Sequence, residues 1–335
     1  MAEERRTVSS EKIAVVGMGL LGRGIATCFL GHGFEIVAVA RSQARHAEAR
    51  RQIEQMIGEL VDMAGFDAGL RTEWPSRYTA ACEFEDLRNC SFVVESVLED
   101  AATKHDVFDQ IEAVVSPEVV IASNSSAIPI SQLQRGRKHP ERLMGMHWAE
   151  PAHATRFLEL IRGEQTSEQT VQRALSLARR LGKEPSLCQK ELPGFIVNRI
   201  GYAMYREALH LLEAGVADAE TIDRSVRNAL GLWATVCGPL RWMDLTGGPE
   251  LYFKAMQPVL PTLSKADEPS PVLKKLAESG ARGIMNGRGF FNYTPEEAQR
   301  WEELYRRHAW RVAQMQNEYF PLATGDAVAK RPNES

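Results

Sequence analysis

The chain has 335 residues, of which 44% are hydrophobic and 25% are charged, and its formal net charge is −4 at pH 7. This composition indicates a globular protein with room for two domains, and the weak negative charge argues against binding to nucleic acid or to an anionic membrane. Because no apolar run could span a bilayer, no signal-peptide core follows Met1 and the five cysteines lack a Cys-x-x-Cys pair, we expect a cytoplasmic protein with reduced thiols and no metal site.

Between polar, aperiodic ends that predict loose tails (residues 1–10 and 324–335), short apolar runs alternate with helical stretches. Continuous apolar strands joined by helices indicate a mostly parallel sheet with helices on both faces. We therefore predict a doubly wound, Rossmann-type α/β domain over residues 11–192. Its predicted strands are Ile13–Val16, Glu35–Val39, Ser91–Glu95, Val119–Ser123, Leu143–His147 and Phe157–Ile161.

The first predicted strand runs directly into the glycine loop Gly17-Met18-Gly19-Leu20-Leu21-Gly22. Gly17 allows a tight turn, Gly19 lets the backbone approach a pyrophosphate, and Gly22 lets the following helix pack close to its strand. Backbone N–H groups and the dipole at the start of that helix favour phosphate. The loop therefore predicts a dinucleotide site formed by Gly17, Gly19, Leu20, Leu21 and Gly22.

The second predicted strand ends in Ala40, followed by Arg41 and Ser42, where NAD-binding units usually place an acidic residue. That acid binds the ribose of adenosine, and its charge would repel a 2′-phosphate. A guanidinium can instead bind a 2′-phosphate through two hydrogen bonds. Ala40, Arg41 and Ser42 therefore favour NADP(H), although Arg41 could also stack over adenine or extend into water in an NAD enzyme.

The interval Gln43–Ala64 has its apolar residues at helical spacing, which predicts a long amphipathic helix after the second strand. This helix could cap the nucleotide site, grip a large substrate or simply pack against the sheet. From residue 193 to residue 323 we predict an all-helical domain, with one helix over Phe195–Glu213 and another from Asp218 to Gly231. Its long apolar helices would suit a dimer interface or an interface between domains.

Four polar residues lie where predicted strands or helices begin or end. Ser126 follows the strand that ends at Ser123, His147 ends its own strand, Glu159 interrupts an apolar strand, and Asn198 lies on the first helix of the second domain. Taken singly, they could be a helix cap, a core histidine, a strand residue facing water and a helix–sheet hydrogen bond. Only their combination indicates a function.

Together with the segments around them, these residues resemble the 3-hydroxyacyl-CoA dehydrogenase family over roughly residues 11–295. The resemblance implies a doubly wound nucleotide domain followed by a helical domain, and a homodimer formed through the latter. Besides the glycine loop, it rests on Val93–Glu99, Ser123–Ser126, His147 with Pro151, Leu158–Ile161, Pro193–Arg199 and Gly287–Tyr293.

The resemblance also implies how the residues share the reaction. Oxidation of a secondary alcohol beside a carbonyl needs a base for the hydroxyl proton, and a histidine suits that task. His147 would be the base, Glu159 would orient it and stabilise its charged form, Ser126 would bind the reacting oxygen, and Asn198 would hold substrate oxygens from the second domain. The residues implied to lie at the cofactor are Glu99, Lys104 and Asn124.

The chain departs from the family's acyl-CoA members at two further places, and a third segment lacks the positive charges that CoA would need. Glu150 stands where an asparagine is common, and it could bind a cationic substrate, tune His147 or face solvent. The segment Leu232–Leu240 is more similar to relatives that act on small free hydroxy acids, such as carnitine or gulonate dehydrogenases. The stretch Glu54–Gly69, which would approach CoA in the family, has no Lys or Arg for its phosphates, although Arg50, Arg51 and Arg71 flank it and could still serve.

These patterns leave three hypotheses. The first is a dehydrogenase of a 3-hydroxyacyl-CoA thioester, which is the family default and agrees with Gly287–Tyr293. The second is a dehydrogenase of a small free hydroxy acid. The third, from another class, is a dinucleotide-binding sensor or structural protein without catalysis, which the presence of Ser126, His147, Glu159 and Asn198 argues against.

Overall fold

The computed structural model describes residues 11–322, so both predicted tails lie outside the described residues. A single eight-stranded sheet organises the first part of the chain. Its strands are β1 (Lys12–Val16), β2 (Glu35–Val39), β3 (Tyr78–Ala81), β4 (Phe92–Glu95), β5 (Val120–Ser123), β6 (Leu143–His147), β7 (Phe157–Ile161) and β8 (Glu184–Cys188). They are hydrogen-bonded in the order β3-β2-β1-β4-β5-β6-β7-β8. Only β6 and β7 run antiparallel to each other, which confirms the predicted mostly parallel sheet.

All six predicted strands are present within one residue of the predicted ends, but two strands were missed. β3 and β8 lie at the two edges of the sheet. β3 reads Tyr-Thr-Ala-Ala and exposes its middle residues, while β8 contains a proline and buries only its last residue. Edge strands pair on one side only and need no apolar run, so a search for apolar runs cannot find them.

Helices cover both faces of this sheet. On one face, Ile13 and Val15 of β1 belong to an apolar cluster that includes side chains of α1, α2 and α6. On the other, Ala14 and Val16 pack with side chains of α4 and α5. Because neighbouring residues of a strand point to opposite faces, burial on both faces requires continuous apolar strands. The helices concerned are α1 (Leu20–Gly31), α2 (Gln43–Ala64), α3 (Leu70–Glu73), α4 (Ala101–Val114), α5 (Ile130–Gln134) and α6 (Glu168–Arg180), with 3₁₀ turns at Trp74–Arg77, Phe84–Asn89 and Pro140–Arg142.

Helix α2 has the predicted bounds and packs mainly as part of the core. Ser42 caps its start by accepting a hydrogen bond from the backbone N–H of Arg45, and Gly65 ends it with φ at 70°. Its buried residues include Ala49, Ile53 and Ile57, which join the same apolar cluster as α1. This supports the interpretation that α2 packs against the first layer of helices.

The contacts divide the chain into two compact units, and the first division between them lies after Asn198. The predicted domain boundary after residue 192 stays a prediction. Residues 199–308 form the second unit, and they contain helices but no strand. Helix α7 (Val197–Glu213) begins two residues later than predicted. The others are α8 (Ala219–Asn228), α9 (Leu230–Ala234), α10 (Pro239–Leu245), α11 (Gly248–Val259), α12 (Pro271–Glu278) and α13 (Pro295–Tyr319), with a 3₁₀ turn at Leu260–Thr262.

The last turns of α13, from Ala309, belong with the first unit. Trp310 and Ala313 are buried in the same apolar cluster as α1 and α2. The Arg156 guanidinium donates to the carbonyl oxygens of Gln316 at 3.0 Å and Phe320 at 2.7 Å, which satisfies the end of the helix. None of the helices within residues 11–322 combines the length and the apolar character needed to cross a membrane.

Candidate active site

The glycine loop forms the turn between β1 and α1, and its glycines meet different constraints. Gly17 has φ at +100°, and a Cβ atom there would lie 2.4 Å from the carbonyl oxygen of Ser96. A Cβ atom on Gly22 would lie 1.8 Å from the carbonyl oxygen of Gly17. Gly19 has no atom within 4 Å of a would-be Cβ. Gly17 and Gly22 are therefore required by the turn itself, whereas Gly19 borders open space.

The start of α1 suits an anionic group in that space. Gly19 is the N-cap residue, Leu20 is exposed and Leu21 is half-buried. The helix has 12 residues and no acidic side chain in its first turn, so no carboxylate of that turn neutralises its N–H groups and dipole. Together with the space beside Gly19, this fits the pyrophosphate of a dinucleotide.

The end of β2 presents a positive side chain where an acid is usual. Ala40 is buried, and its N–H donates to the carbonyl oxygen of Ala81 at 3.1 Å. Arg41 is exposed, and Ser42 is occupied in capping α2. Among the described residues, Arg41 and Arg45 form no ion pair with a carboxylate. The positive charge of this segment is thus available to a ligand.

His147 and Glu159 face each other across the antiparallel pair β6–β7. The Nδ1 atom of His147 lies 2.8 Å from Oε2 of Glu159, and the side chains are 7% and 1% exposed. Because a carboxylate only accepts, Nδ1 carries the proton and Nε2 remains the basic nitrogen. The other oxygen, Oε1, accepts hydrogen bonds from the backbone N–H groups of Ile196 at 3.2 Å and Val197 at 3.0 Å. The pair thus has the arrangement of a base and its orienting acid.

Ser126 and Asn198 are in direct contact, and both belong to the first unit. The Nδ2 group of Asn198 donates to the backbone carbonyl of Ser126 at 2.9 Å. The turn that leads into α7 is held against Glu159 by two backbone N–H groups. The predicted contact of Asn198 with substrate oxygens stays a prediction. Half-buried Ser126 follows β5, which is the neighbour of β6, so it lies at the same edge of the sheet as His147.

Glu99 and Lys104, which the resemblance places at the cofactor, hold loops in this structure. Oε1 of Glu99 accepts hydrogen bonds from the Ser125 hydroxyl and from the backbone N–H groups of Ser126 and Ala127, at 2.6–2.9 Å. The Nζ atom of Lys104 is fully buried and lies 2.9 Å from Glu95 and 3.5 Å from Glu99. Since a fully buried ammonium is out of reach of a ligand, the predicted contact between Lys104 and the cofactor stays a prediction that requires a rearrangement.

Glu95, which sequence reasoning did not single out, is the centre of this buried network. It is fully buried at the end of β4 and accepts from Lys104, from the Ser123 hydroxyl at 2.6 Å and from the backbone N–H of Val97 at 2.6 Å. A charged residue in the apolar strand Phe92–Glu95 is the signal that could have revealed it.

Asn124 connects the ends of two strands rather than standing free in a groove. Its Oδ1 atom accepts from the backbone N–H of Trp148 at 2.9 Å, and its Nδ2 group donates to the Ser96 hydroxyl at 3.1 Å. The side chain is buried. Asn124 therefore fixes the residue next to His147, and its predicted contact with the cofactor stays a prediction.

Glu150, on the loop after β6, interacts with charged groups of that loop and of helices α1 and α2. Burial raises its pKa, while His153 and Arg23 lower that pKa and Glu59 raises it. His153 and Trp310 both lie within hydrogen-bond distance of Oε2 of Glu59, at 3.1 and 3.0 Å. Although acids are among these residues, no group of three or more His, Cys, Asp or Glu side chains within residues 11–322 is arranged to hold a metal ion. Glu150 itself is exposed at the surface, so its predicted roles stay predictions.

Comparison with known proteins agrees with this geometry. Residues 12–192 match the family model of the 3-hydroxyacyl-CoA dehydrogenase NAD binding domain. Residues 194–293 match the model of the 3-hydroxyacyl-CoA dehydrogenase C-terminal domain. Helix α13 thus lies beyond both matches.

Two relatives and one solved structure are especially similar. The 5-formyl-3-hydroxy-2-methylpyridine 4-carboxylate 5-dehydrogenase of Mesorhizobium japonicum is 33% identical, over 85% of this chain and 91% of the relative. The probable 3-hydroxybutyryl-CoA dehydrogenase of Deinococcus radiodurans is 34% identical, over 84% of this chain and 100% of the relative. The solved structure of a 5-formyl-3-hydroxy-2-methylpyridine 4-carboxylic acid 5-dehydrogenase, an NAD+-dependent dismutase, has a TM-score of 0.83 at 30% identity and covers 92% of this chain and 98% of its own.

Proposed function

Because this chain belongs to the 3-hydroxyacyl-CoA dehydrogenase family, we propose that it interconverts a 3-hydroxy and a 3-oxo acyl compound by hydride transfer with a nicotinamide cofactor. The observation that carries the proposal is the buried pair of His147 and Glu159 at the same sheet edge as Ser126. A general base needs both a free nitrogen and a partner that fixes its ring, and this pair has both.

The residues would share the chemistry as follows. Nε2 of His147 takes the proton of the substrate hydroxyl, and the Glu159 carboxylate stabilises the resulting imidazolium through Nδ1. The hydroxyl of Ser126 donates a hydrogen bond to the reacting oxygen. A nicotinamide, when bound, supplies the acceptor for the hydride. Asn198 and Glu99 hold the backbone of Ser126 from its carbonyl and N–H sides, which leaves the hydroxyl available.

We propose NADP(H) as the preferred cofactor, bound by Gly17, Gly19, Leu20, Leu21 and Gly22 at the pyrophosphate and by Arg41 at the 2′-phosphate. The proposal is supported by the exposed guanidinium of Arg41 beside Ala40, where no carboxylate stands. Its test is kcat/KM with NADPH and with NADH, for the wild type and for Arg41→Gln. A wild type that uses NADH but not NADPH contradicts it.

The substrate has two candidates within the same chemistry. A CoA thioester is the default substrate of the family. The Deinococcus relative, which matches this chain over its whole length, is named as a probable 3-hydroxybutyryl-CoA dehydrogenase. A free acid is favoured by the stretch Glu54–Gly69, which has no Lys or Arg, and by the carboxylate in the name of the Mesorhizobium relative. Turnover of acetoacetyl-CoA, compared with carnitine and other short hydroxy acids, separates the two. Dinucleotide binding without turnover of any of them would favour the inert sensor.

We further propose that the protein is a homodimer formed through residues 199–308. None of these residues is buried, and several large apolar side chains of their helices are exposed, including Leu240 at 74% and Phe253 at 67%. Apolar surface of this extent is usually covered by a protein partner, and a second copy of the same chain is the commonest one.

A further inference from the structure

Phe195 is the only residue other than glycine with a left-handed backbone within residues 11–322. Its φ is +52°, it is 3% exposed, and it lies two residues before the start of α7. A side chain with a Cβ atom is strained in this region, whereas glycine is not. Such strain persists only where the surroundings impose it, and it is common at functional sites.

The backbone of Phe195 directs two donors to Glu159. Gly194, with φ at +79°, and Phe195 turn the chain so that the next two N–H groups, of Ile196 and Val197, point to Oε1 of Glu159. A glycine at position 195 could make the same turn without strain. The backbone therefore explains the conformation but not the phenyl ring.

The ring of Phe195 packs against the imidazole of His147. The two ring centroids are 5.9 Å apart and the planes are tilted by 57°. Phe157 contacts the same imidazole edge-on, with centroids 5.8 Å apart at 89°. Nδ1 of His147 is held by Glu159, so rotation of the imidazole is restricted by one hydrogen bond and two aromatic contacts.

We propose that Phe195 is a positioning residue that fixes the imidazole of His147 through its ring and the carboxylate of Glu159 through its backbone. The inference rests on the proposed function, because it assigns a role relative to the base of that reaction. It also accounts for the strain, since the position needs both a left-handed backbone and a large apolar side chain.

The test compares Phe195→Gly and Phe195→Leu with Phe34→Leu in the full-length protein. Phe34 is equally buried but precedes β2, at the opposite end of the strands from His147. The measurements are kcat, KM for the cofactor, and the primary deuterium isotope effect on kcat with reduced cofactor labelled at the transferred hydrogen. For Phe195→Gly we expect kcat to fall about 10- to 100-fold, KM for the cofactor to change less than about twofold, and the isotope effect to rise, because a misplaced base slows the chemical step.

For Phe195→Leu, which keeps bulk but not the ring, we expect a loss of kcat of about 3- to 10-fold and again a larger isotope effect. Phe34→Leu should lower the melting temperature without changing the isotope effect. If Phe195→Gly does not fold, Phe195→Leu decides the matter alone. An unchanged isotope effect in a folded Phe195 variant overturns the inference. A wild type that turns over no 3-hydroxy or 3-oxo substrate overturns the proposed function and this inference together.

Discussion

The two units of the chain differ in how they bury their side chains. The first has apolar clusters on both faces of its sheet and also buries charged groups such as Lys104 and Glu159, each with hydrogen-bonding partners. The second, residues 199–308, buries none of its residues. Since folding must bury apolar surface to offset the lost conformational entropy, the first unit has a complete core and the second does not.

The predicted catalytic residues and the exposed apolar surface lie in different units. Ser126, His147, Glu159 and Asn198 all lie in the first unit, which also contains the glycine loop. The second unit offers amphipathic helices with exposed apolar side chains. We therefore expect substitutions in the first unit to act on the reaction, and substitutions on the second to act on oligomeric state and stability.

The largest effect is expected for His147→Ala. Removal of the base should lower kcat about 10²- to 10⁴-fold, while the dissociation constant of the cofactor stays nearly unchanged because the glycine loop is intact. Steady-state kinetics and cofactor fluorescence titration measure the two. His139→Ala, a half-exposed histidine in the same unit, is the matched control and should keep wild-type kcat. Normal turnover by His147→Ala would contradict the assignment of the base.

The second-largest effect is expected on the oligomeric state, from substitutions in residues 199–308. The double variant Leu240→Asp and Phe253→Asp places charges on two of its most exposed apolar side chains. If a second copy covers this surface, the variant should be monomeric by light scattering at concentrations where the wild type is dimeric, and it should melt several degrees lower. Met63→Asp, on α2 of the first unit, is the control and should leave the oligomeric state unchanged. A monomeric wild type would rule out the dimer.

Most of the first unit could be predicted because its pattern is periodic. Strands buried on both faces must be apolar throughout, and the glycine loop marks the turn from β1 to α1. The pair of His147 and Glu159 could be expected from resemblance, and its geometry follows from the register of β6 with β7. The edge strands β3 and β8 escaped because they are paired on one side and carry polar residues.

The sequence could not reveal which hydrogen bonds and ion pairs the buried polar groups form. Glu99, Lys104 and Asn124 are predicted at the cofactor from resemblance alone, whereas their contacts to the loops that carry Ser126 and Trp148 are visible only in the structure. Glu95 lies 9 residues from Lys104 in sequence and 28 from Ser123, and only the sheet brings the three together. Likewise, nothing in the periodicity of α13 indicates that its end belongs with the first unit.

A third prediction tests where the boundary between the units lies on α13. Trp310→Phe keeps an aromatic ring beside His153 but removes the hydrogen bond to buried Glu59. Loss of a partner for a buried carboxylate should lower the free energy of unfolding of the first unit by about 1–3 kcal/mol in urea denaturation. Trp301→Phe, an exposed tryptophan on the same helix, should cost less than about 0.5 kcal/mol. If both variants lowered the free energy of unfolding equally, Trp310 would contribute no more to the core than exposed Trp301 does.

The smallest effect concerns the loop that carries Ser126. Burial of Glu99 is outweighed by its hydrogen bonds to Ser125, Ala127 and Ser126 and by the charge of Lys104, so its pKa lies below the ordinary value of 4.5. A carboxyl with a lowered pKa in the folded state stabilises the protein above its unfolded pKa, and this contribution is lost as the pH falls through the folded pKa. The wild type should therefore lose stability below about pH 4.5 through this group.

Glu99→Gln has no such titration, although its side-chain oxygen can still accept the backbone hydrogen bonds. The difference in melting temperature between wild type and variant should be on the order of 1–2 °C at pH 7, since Glu99 is partly exposed and solvent screens its charge. That difference should narrow from pH 5 to pH 3. A constant difference across this range would mean that the charge of Glu99 does not hold the loop. Only the hydrogen bonds would then connect the buried network of the first unit to the residue predicted to bind the reacting oxygen.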